Sequence, residues 1–245
     1  MAVTKRTVVV VGCSRGIGLG LLNHFSTLES CSAVVGVVRK DSDRVRLTSE
    51  FLANTKVQIL CGDVTDLKSM EGVSDAVRRS GLVPDLLICN AGVLTFPKPF
   101  NDIPTEDMVS SFEVNVLGPF HTMQAFLPLM RAVPGAVMVN VSSGWGLRGE
   151  AGESTYCMSK HALEGLVKCA ALDVAADPLS IVTVRPGMVF TEMLAAACHG
   201  DAELAKQKGL PVERLAPHFC EMVMAITKAD SGTHIDCGYR GPVDW

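Results

Sequence analysis

The sequence feature that most constrains the fold is a series of short apolar runs, rich in valine and isoleucine, that recur along the 245 residues. Within each run, apolar residues do not alternate with polar ones, which is typical of strands covered on both faces. We therefore predict buried strands at 7–12, 33–38, 56–61, 85–90, 136–143 and 180–184.

Segments with helical periodicity separate most of these runs. They lie at 17–28, 42–53, 67–79, 105–131 and 154–176. Alternation of strands and helices predicts parallel strands joined by right-handed crossovers. The predicted fold is therefore α/β, a doubly wound parallel sheet of the Rossmann-like kind, with a ligand beyond the carboxyl ends of the strands.

The composition indicates a single domain over residues 1–245, because no linker or repeat divides the chain. The net charge is -4 and no long basic run is present, which argues against a nucleic-acid partner. The nine cysteines form no C-x-x-C pair, which predicts reduced thiols in a cytoplasmic protein and no metal site. The apolar run near the N-terminus is too short for a signal peptide or a membrane span.

The first apolar run leads into "GCSRGIG" (12–18) and then into a helical segment. Glycines here would permit a tight turn and let a pyrophosphate approach the N-terminus of the helix. Glycine-rich turns also form for purely structural reasons, so the turn alone leaves both interpretations open. The residues that we predict to bind a dinucleotide here are Gly12, Ser14, Arg15, Gly16, Ile17 and Gly18.

The end of the second predicted strand indicates which nucleotide is bound. An NAD site usually has an acidic residue there for the ribose 2′-hydroxyl, but this chain has Arg39 and Lys40. Arg15, in the glycine-rich turn, would approach the same position from the other side. Two arginines converging on one site predict a 2′-phosphate and hence NADPH in preference to NADH. For Lys40, a solvated surface charge is the favoured interpretation.

Polar and small residues follow the third and fourth predicted strands. Asp63, followed by Val64, is placed to accept a hydrogen bond from the adenine amino group, although it could equally cap a loop. After the fourth strand, Asn90, Ala91 and Gly92 would let the backbone pass beside the adenine ribose. We include all of them in the predicted nucleotide site.

Tyr156 and Lys160 lie four residues apart in "STYCMSK", so on a helix they share one face. A tyrosine has a pKa of about 10, which makes it a poor acid or base at neutral pH. An ammonium group one turn away would favour the phenolate and lower that pKa. The spacing alone is also common by chance in a surface helix.

The ordered set of motifs resembles the classical short-chain dehydrogenase/reductase family over nearly the whole chain. It comprises "GCSRGIG", "CNAG", Asn115, Ser143, "YCMSK" and "PGMVFT" (186–191). Within the family, "GCSRGIGLGLL" and the C-terminal "SGTHIDCGYRGPVDW" are similar to small carbonyl reductases of the sniffer and C-factor type. The resemblance implies an NADP-dependent oxidoreductase.

The resemblance also implies roles for individual residues. Tyr156 would be the general acid, with Lys160 tuning it and binding the nicotinamide ribose. Ser143 would hold the carbonyl oxygen, and Asn115 would anchor a water that passes protons to Lys160. Thr191 would bond the nicotinamide carboxamide. The nucleotide site would continue along Pro186, Gly187 and Val189.

The substrate pocket would be lined by apolar residues such as Leu94, Trp145, Leu147 and Met193, which indicates a small, hydrophobic aldehyde or ketone. Residues 191–214 would form a mobile lid over it, with an ordinary surface loop as the alternative. Two alternatives stay open: an oxidoreductase of steroid or carrier-bound substrates, and a catalytically silent nucleotide-binding protein.

The outer faces of the fourth and fifth predicted helices are available for a symmetric partner, which predicts a homodimer or homotetramer. The apolar residues that we expect on those faces are Leu127, Met130, Leu163 and Leu172.

Overall fold

The computed structural model describes residues 5–237. Within them, seven parallel strands form one sheet in the order β3-β2-β1-β4-β5-β6-β7. The strands are β1 (Arg6–Val11), β2 (Cys31–Val38), β3 (Val57–Cys61), β4 (Leu86–Cys89), β5 (Val137–Val141), β6 (Ser180–Arg185) and β7 (His234–Asp236). The sequence analysis missed β7, which is three residues long and not fully buried. The predicted α/β fold is confirmed.

Nine α-helices cover this part of the chain. They are α1 (Gly16–Thr27), α2 (Asp41–Glu50), α3 (Leu67–Arg79), α4 (Thr105–Phe112), α5 (Gly118–Met130), α6 (Ser154–Asp173), α7 (Glu192–Ala197), α8 (Ala202–Lys208) and α9 (Val212–Met224). The segment predicted as one helix at 105–131 is divided, because a π-helical turn at Glu113–Leu117 separates α4 from α5.

The sheet is covered on both faces, as the apolar runs predicted. In β1, Val8 and Val10 pack into one core with residues of α1 and α9. Val9 and Val11 pack into a second core with residues of α3, α5 and α6. Successive side chains of a strand point to opposite faces, so burial on both faces favours apolar residues at consecutive positions.

The strand order reverses between β1 and β4. From β1 the chain builds outward to β2 and β3, and from β4 it builds in the other direction through β5, β6 and β7. In a doubly wound sheet this switch point leaves a crevice at the carboxyl ends of the strands.

The region predicted as a lid, 191–214, contains α7, α8 and the start of α9. A β-bridge between Val189 and Leu210 connects its two ends. At the start of α9, Val212 packs closely against α1, since a Cβ added to Gly20 would lie 2.1 Å from its side chain. The lid is thus a pair of short helices between fixed ends, and its movement stays a prediction.

The predicted partner face is wrong in two of its four residues. Met130 and Leu163 are completely buried in the core, because each faces the sheet from its own helix. Leu172 is exposed, and Leu127 packs at the edge of the core.

Candidate active site

A cavity of about 1260 Å³ lies at the carboxyl ends of the strands. It brings together almost every residue that the sequence analysis placed in the site, with two exceptions: Gly18 and Asn115 do not line it. The predicted site residues that line it are Gly12, Ser14, Arg15, Gly16, Ile17, Arg39, Asp63, Val64, Asn90, Ala91, Gly92, Ser143, Tyr156, Lys160, Pro186, Gly187, Val189 and Thr191.

The glycine-rich turn packs backbone to backbone against the end of β4. Gly12 has a φ of +84°, and a Cβ added there would lie 2.6 Å from the backbone of Ala91. A Cβ on Gly18 would lie 2.2 Å from the carbonyl oxygen of Gly12. Asn90 donates from Nδ2 to the same oxygen at 2.8 Å. Gly18 therefore supports the turn from behind, and the open side of the turn faces the cavity at the N-terminus of α1, as a pyrophosphate site requires.

Cationic side chains lie together where the 2′-phosphate is predicted to bind. Arg39 and Lys40 both line the cavity, so Lys40 belongs to the wall of the site. Arg15 is ion-paired with Glu192, the first residue of α7. Both members of that pair are largely exposed, so the pair is weak and a phosphate could displace the carboxylate.

Arg46 is a residue of the site that sequence reasoning missed. Its Nη2 donates to the carbonyl oxygen of Ser14 at 2.7 Å, which ties α2 to the glycine-rich turn. Asp43 and Glu50, on the same helix, hold the guanidinium at 3.3 and 3.0 Å. The helical spacing of these three charges is visible in the sequence, but the contact with Ser14 depends on the crossing of two elements.

Asp63 acts as a loop cap, which was the alternative interpretation of this residue. Its Oδ1 accepts hydrogen bonds from the backbone nitrogen and hydroxyl of Thr65 at 3.0 and 2.8 Å. The carbonyl oxygen of Val64 is 3.0 Å from Nδ1 of His121. These contacts fix the loop after β3, and Asp63 still borders the cavity.

Tyr156 and Lys160 lie on the first two turns of α6, and both are buried. The Nζ of Lys160 donates to the carbonyl oxygen of Val141, at the end of β5, at 2.9 Å. It lies 5.5 Å from the centroid of the Tyr156 ring. Trp145 contacts that ring edge to face, with 5.9 Å between centroids. The two functional groups thus occupy one wall of the cavity, as the spacing predicts.

Burial dominates the pKa values of this pair. It raises the pKa of Tyr156, and an interaction with the Ser143 hydroxyl partly opposes the shift. It lowers the pKa of Lys160 to about 8, against the opposing charge of Glu164. The expected lowering of the phenol pKa by Lys160 is therefore wrong for this arrangement, since desolvation of the ring is the larger effect.

Asn115 lies in the π-helical turn and is completely buried. Its Oδ1 accepts from the backbone nitrogen of Val93 at 2.8 Å, and its Nδ2 donates to the Val93 carbonyl oxygen at 2.9 Å. The same Nδ2 donates to the hydroxyl of Ser159 on α6 at 3.0 Å. Asn115 therefore joins the loop after β4 to the helix that carries Tyr156 and Lys160.

Thr191 borders the cavity as the N-cap of α7. Its Oγ1 accepts from the backbone nitrogen of Leu194 at 3.2 Å and donates to the carbonyl oxygen of Val189 at 3.3 Å. Gly187, before it, has a φ of +79°. This turn directs the chain from β6 across the mouth of the cavity.

The family model for "short chain dehydrogenase" matches residues 6–201. The chain belongs to the short-chain dehydrogenase family. The resemblance seen in the sequence is thereby confirmed, and with it the assignment as an oxidoreductase.

Related proteins cover nearly all of the chain. An NADPH-dependent pterin aldehyde reductase of Arabidopsis thaliana is 30% identical over 230 residues, 94% of this chain and 92% of its own length. An NADP-dependent 3-hydroxy acid dehydrogenase of Schizosaccharomyces pombe is 27% identical over 230 residues, 92% and 88% of the two chains.

Solved structures share the fold at low sequence identity. NADPH-bound carbonyl reductase from chicken fatty liver matches with a TM-score of 0.83 and 24% identity, covering 98% of this chain and 99% of its own. Carbonyl reductase Sniffer of D. melanogaster matches with a TM-score of 0.84 and 19% identity, covering 98% and 100%. The last part of the C-terminal motif, 238–245, lies outside the described residues.

Within residues 5–237, no group of three or more His, Cys, Asp or Glu side chains is placed to hold a metal ion. In the same range, none of the helices combines the length and the apolar character that crossing a membrane would need. All nine cysteines fall in this range and are free thiols.

Proposed function

We propose that this protein is an NADPH-dependent reductase of small, hydrophobic aldehydes or ketones. The observation that carries the proposal is the placement of Tyr156, Ser143 and Lys160 on one wall of a large cavity beside the glycine-rich turn. The cavity exposes more apolar than polar surface, which suits a hydrophobic carbonyl compound.

In this reaction, bound NADPH would supply a hydride to the carbonyl carbon. Tyr156 would donate its phenolic proton to the carbonyl oxygen as negative charge develops there. Burial raises the pKa of Tyr156, so the phenol holds its proton at neutral pH and would release it only as the carbonyl oxygen becomes strongly basic during hydride transfer. Ser143, beside the phenol, would hold the same oxygen by a hydrogen bond.

Lys160 would restore the proton to Tyr156. Its pKa of about 8 lets it gain and lose a proton near neutral pH. It would also bind the nicotinamide ribose, while Thr191 would bond the carboxamide. Asn115 would hold the water that connects Lys160 to solvent. The side-chain amide of Asn115 is already bonded to Val93 and Ser159, so we assign that water to its backbone.

The preference for NADPH would come from Arg39 and Arg15 at the 2′-phosphate. The Arabidopsis relative is named as NADPH-dependent, and the chicken structure contains NADPH. Among residues 5–237, Arg39 has no carboxylate partner within salt-bridge distance, so its charge is available for a phosphate. Arg15 would have to leave Glu192 to reach the same group.

Two alternative functions can be distinguished from this one by experiment. The first is oxidation or reduction of steroid or carrier-bound 3-oxoacyl substrates, and the second is nucleotide binding without turnover. The relatives' names favour small aldehydes and hydroxy acids. A silent binder would have no use for a complete set of Asn115, Ser143, Tyr156 and Lys160.

The test measures the oxidation of NADPH through the decrease in its absorbance. The panel of compounds contains aldehydes, among them a pterin aldehyde, together with diketones, quinones, ketosteroids and 3-oxoacyl thioesters. We expect turnover with small aldehydes or ketones. Turnover confined to ketosteroids or thioesters would establish the first alternative. Tight NADPH binding with no turnover on any compound would establish the second.

We also propose that the protein is cytoplasmic and forms a homodimer or homotetramer. The apolar residues left exposed around α4 and α5 include Val109, Phe112, Leu117 and Phe120, and these replace the two buried residues in the predicted partner face. Light scattering should give a dimeric or tetrameric mass, and Phe120→Glu should lower it. A monomeric wild-type mass at micromolar concentration would contradict the proposal.

A further inference from the structure

Glu164 is a buried acidic side chain on α6, four residues after Lys160. Only 5% of Glu164 and 4% of Lys160 is exposed. Positions four apart share one face of a helix, so two buried groups of opposite charge lie one turn apart. A buried charge is costly unless hydrogen bonds or an opposite charge compensate it. Glu164 has no part in the reaction proposed for Lys160, so its burial at this place calls for a function.

Each of the two groups is fixed to the sheet by a hydrogen bond. The Nζ of Lys160 donates to the carbonyl oxygen of Val141 on β5 at 2.9 Å. The Oε2 of Glu164 accepts from the hydroxyl of Thr183 on β6 at 2.7 Å. These two strands are neighbours, and Thr183 lies opposite Asn140 in their parallel register. Neighbouring strands are about 4.8 Å apart and Cβ atoms four helical positions apart about 5 to 6 Å, so the ammonium and the carboxylate are roughly 5 to 8 Å apart.

The turn that follows Ser143 packs directly on this part of α6. A Cβ added to Gly146 would lie 3.2 Å from the carbonyl oxygen of Lys160 and 3.3 Å from Cγ of Glu164. The stem of Glu164 therefore supports the turn from below, and the turn shields the helix from water. Because water is excluded, the carboxylate acts on the ammonium more strongly than it would at the surface.

The other groups near Lys160 carry no charge that could replace that of Glu164. Burial raises the pKa of Tyr156, Cys157 and Cys89, so these groups are uncharged at neutral pH. The charged side chains of other elements packed against α6 are exposed or ion-paired elsewhere. They are Glu106 and Asp107 of α4, Glu113 of the π-helical turn and Arg185 of β6. Burial lowers the pKa of Lys160, and the charge of Glu164 opposes that shift.

We propose that Glu164 is a positioning residue whose carboxylate, held by Thr183, keeps Lys160 in its ammonium form. In carbonyl reduction Tyr156 gives up a proton and Lys160 returns one, so each cycle needs a protonated Lys160. Burial favours the neutral amine, whereas a carboxylate one helical turn away favours the ammonium. The inference rests on the proposed carbonyl reduction only in the step from the charge of Lys160 to the rate of turnover.

Glu164→Gln tests the proposal without a substrate, because it removes the charge, keeps the shape and leaves an amide oxygen to accept from Thr183. Protein labelled with [ε-¹³C]lysine would report the protonation of Lys160 through the pH dependence of its NMR signal, which Lys160→Met identifies by its loss. Wild type should titrate near pH 8. Glu164→Gln should titrate about 0.5 to 2 pH units lower, as expected for opposite charges at this distance inside a protein. A shift smaller than about 0.5 unit would overturn the proposal.

Asp173→Asn is the matched control, because it removes one negative charge from the exposed last residue of the same helix. Its Lys160 signal should titrate as in wild type, and equal shifts in both variants would assign the effect to overall charge and contradict the role of Glu164. If Glu164→Gln does not fold, wild type labelled with [δ-¹³C]glutamate still decides. The Glu164 signal should then inflect at the pH where Lys160 titrates, and a signal without that inflection would overturn the proposal.

The pH dependence of turnover then connects this charge to the reaction. The rate of NADPH oxidation should fall as pH rises through the midpoint of Lys160, and in Glu164→Gln that fall should move to lower pH with the midpoint. A rate that is reduced equally at every pH would indicate a merely structural role and overturn the proposal. If no carbonyl compound is reduced although the Lys160 signal shifts as predicted, the proposed carbonyl reduction fails and the effect of Glu164 on Lys160 stands. If turnover occurs and the signal does not shift, the reduction stands and the role of Glu164 fails.

Discussion

The candidate active-site cavity has a proposed nucleotide half and a proposed substrate half, and the two are built differently. In the nucleotide half, backbone packs on backbone: a Cβ at Gly12 or Gly18 would overlap its neighbours. In the substrate half, side chains form the wall, and several are large, apolar and substantially exposed, such as Leu147, Phe190 and Met193. Main-chain contacts tolerate little change, whereas a wall of side chains can vary with the substrate. The proposed cofactor binding therefore depends on the path of the chain, and the proposed substrate choice depends on individual side chains.

The largest expected effect is at the boundary of the two halves. Tyr156→Phe removes one oxygen and leaves the ring to fill its place against Trp145. Because the general acid is lost, turnover should fall roughly 10²- to 10⁴-fold. Single-turnover kinetics would measure it under conditions where chemistry limits the rate.

NADPH affinity is the control for this variant, and it should stay near the wild-type value because the phosphate contacts lie in the other half. Lys160→Ala should lose both turnover and some affinity, and the double variant should be little worse than either single one. If Tyr156→Phe kept more than about a tenth of the wild-type turnover, the phenol would have only a structural role.

The second prediction tests the nucleotide half. Arg39→Asp should weaken NADPH binding about 10- to 100-fold and leave NADH binding equal or better, because one charge-assisted bond to the 2′-phosphate is replaced by repulsion. Fluorescence titration with both nucleotides would measure the two dissociation constants. Unchanged discrimination between them would remove Arg39 from the phosphate site.

The third prediction concerns stability and Glu153, a buried residue beside the substrate half that immediately precedes α6 and whose carboxylate oxygens have no hydrogen-bond partner among residues 5–237. The pKa of Glu153 in the folded protein is about 7, above its ordinary value of 4.5, so the folded state keeps a proton that the unfolded chain releases. Relative to Glu153→Gln, wild type should therefore lose stability as pH rises from about 5 to 8, by roughly 1 to 2 kcal/mol. Urea unfolding at both pH values would measure the change.

Glu150→Gln serves as the control, because it removes a neighbouring carboxylate and keeps Glu153, and it should keep most of the loss of stability that wild type shows as pH rises. Parallel pH profiles of wild type and Glu153→Gln would show that the carboxylate is ionised freely in the folded protein. In that case, burial of a charged group would not distinguish the substrate half from the nucleotide half.

The smallest expected effect concerns Arg46, which supports the glycine-rich turn through the Ser14 carbonyl. Arg46→Met should weaken NADPH and NADH alike, by about 3- to 10-fold, as expected for one hydrogen bond. Arg44→Met is the matched control, since Arg44 pairs with Asp41 on its own helix. A loss confined to NADPH would place Arg46 on the 2′-phosphate and change its role.

The family and fold were predictable because their determinants are local. The apolar runs of β1, β4 and β5 are buried almost throughout, and the glycine-rich turn follows directly on the first of them. The division of 105–131 was not predictable, because the π-helical turn places Asn115 against Val93, a contact across 22 residues. The prediction that Met130 and Leu163 lie on the partner face was wrong for a related reason. The helical pattern does not say which side of a helix packs against the sheet when apolar residues occur on more than one side.

The sequence by itself determined the parallel sheet, the glycine-rich turn after its first strand and the placement of Tyr156 and Lys160 on one helix, since these depend on spacing within one strand, turn or helix. Only the tertiary structure decided the direction in which the pKa values of Tyr156 and Lys160 shift. Burial raises the pKa of Tyr156 and lowers that of Lys160, although the sequence suggested the opposite shift for the phenol. It also decided that Glu153 would be enclosed without a partner. The physical reason is that desolvation depends on every element packed around a group, and no stretch of sequence contains that information.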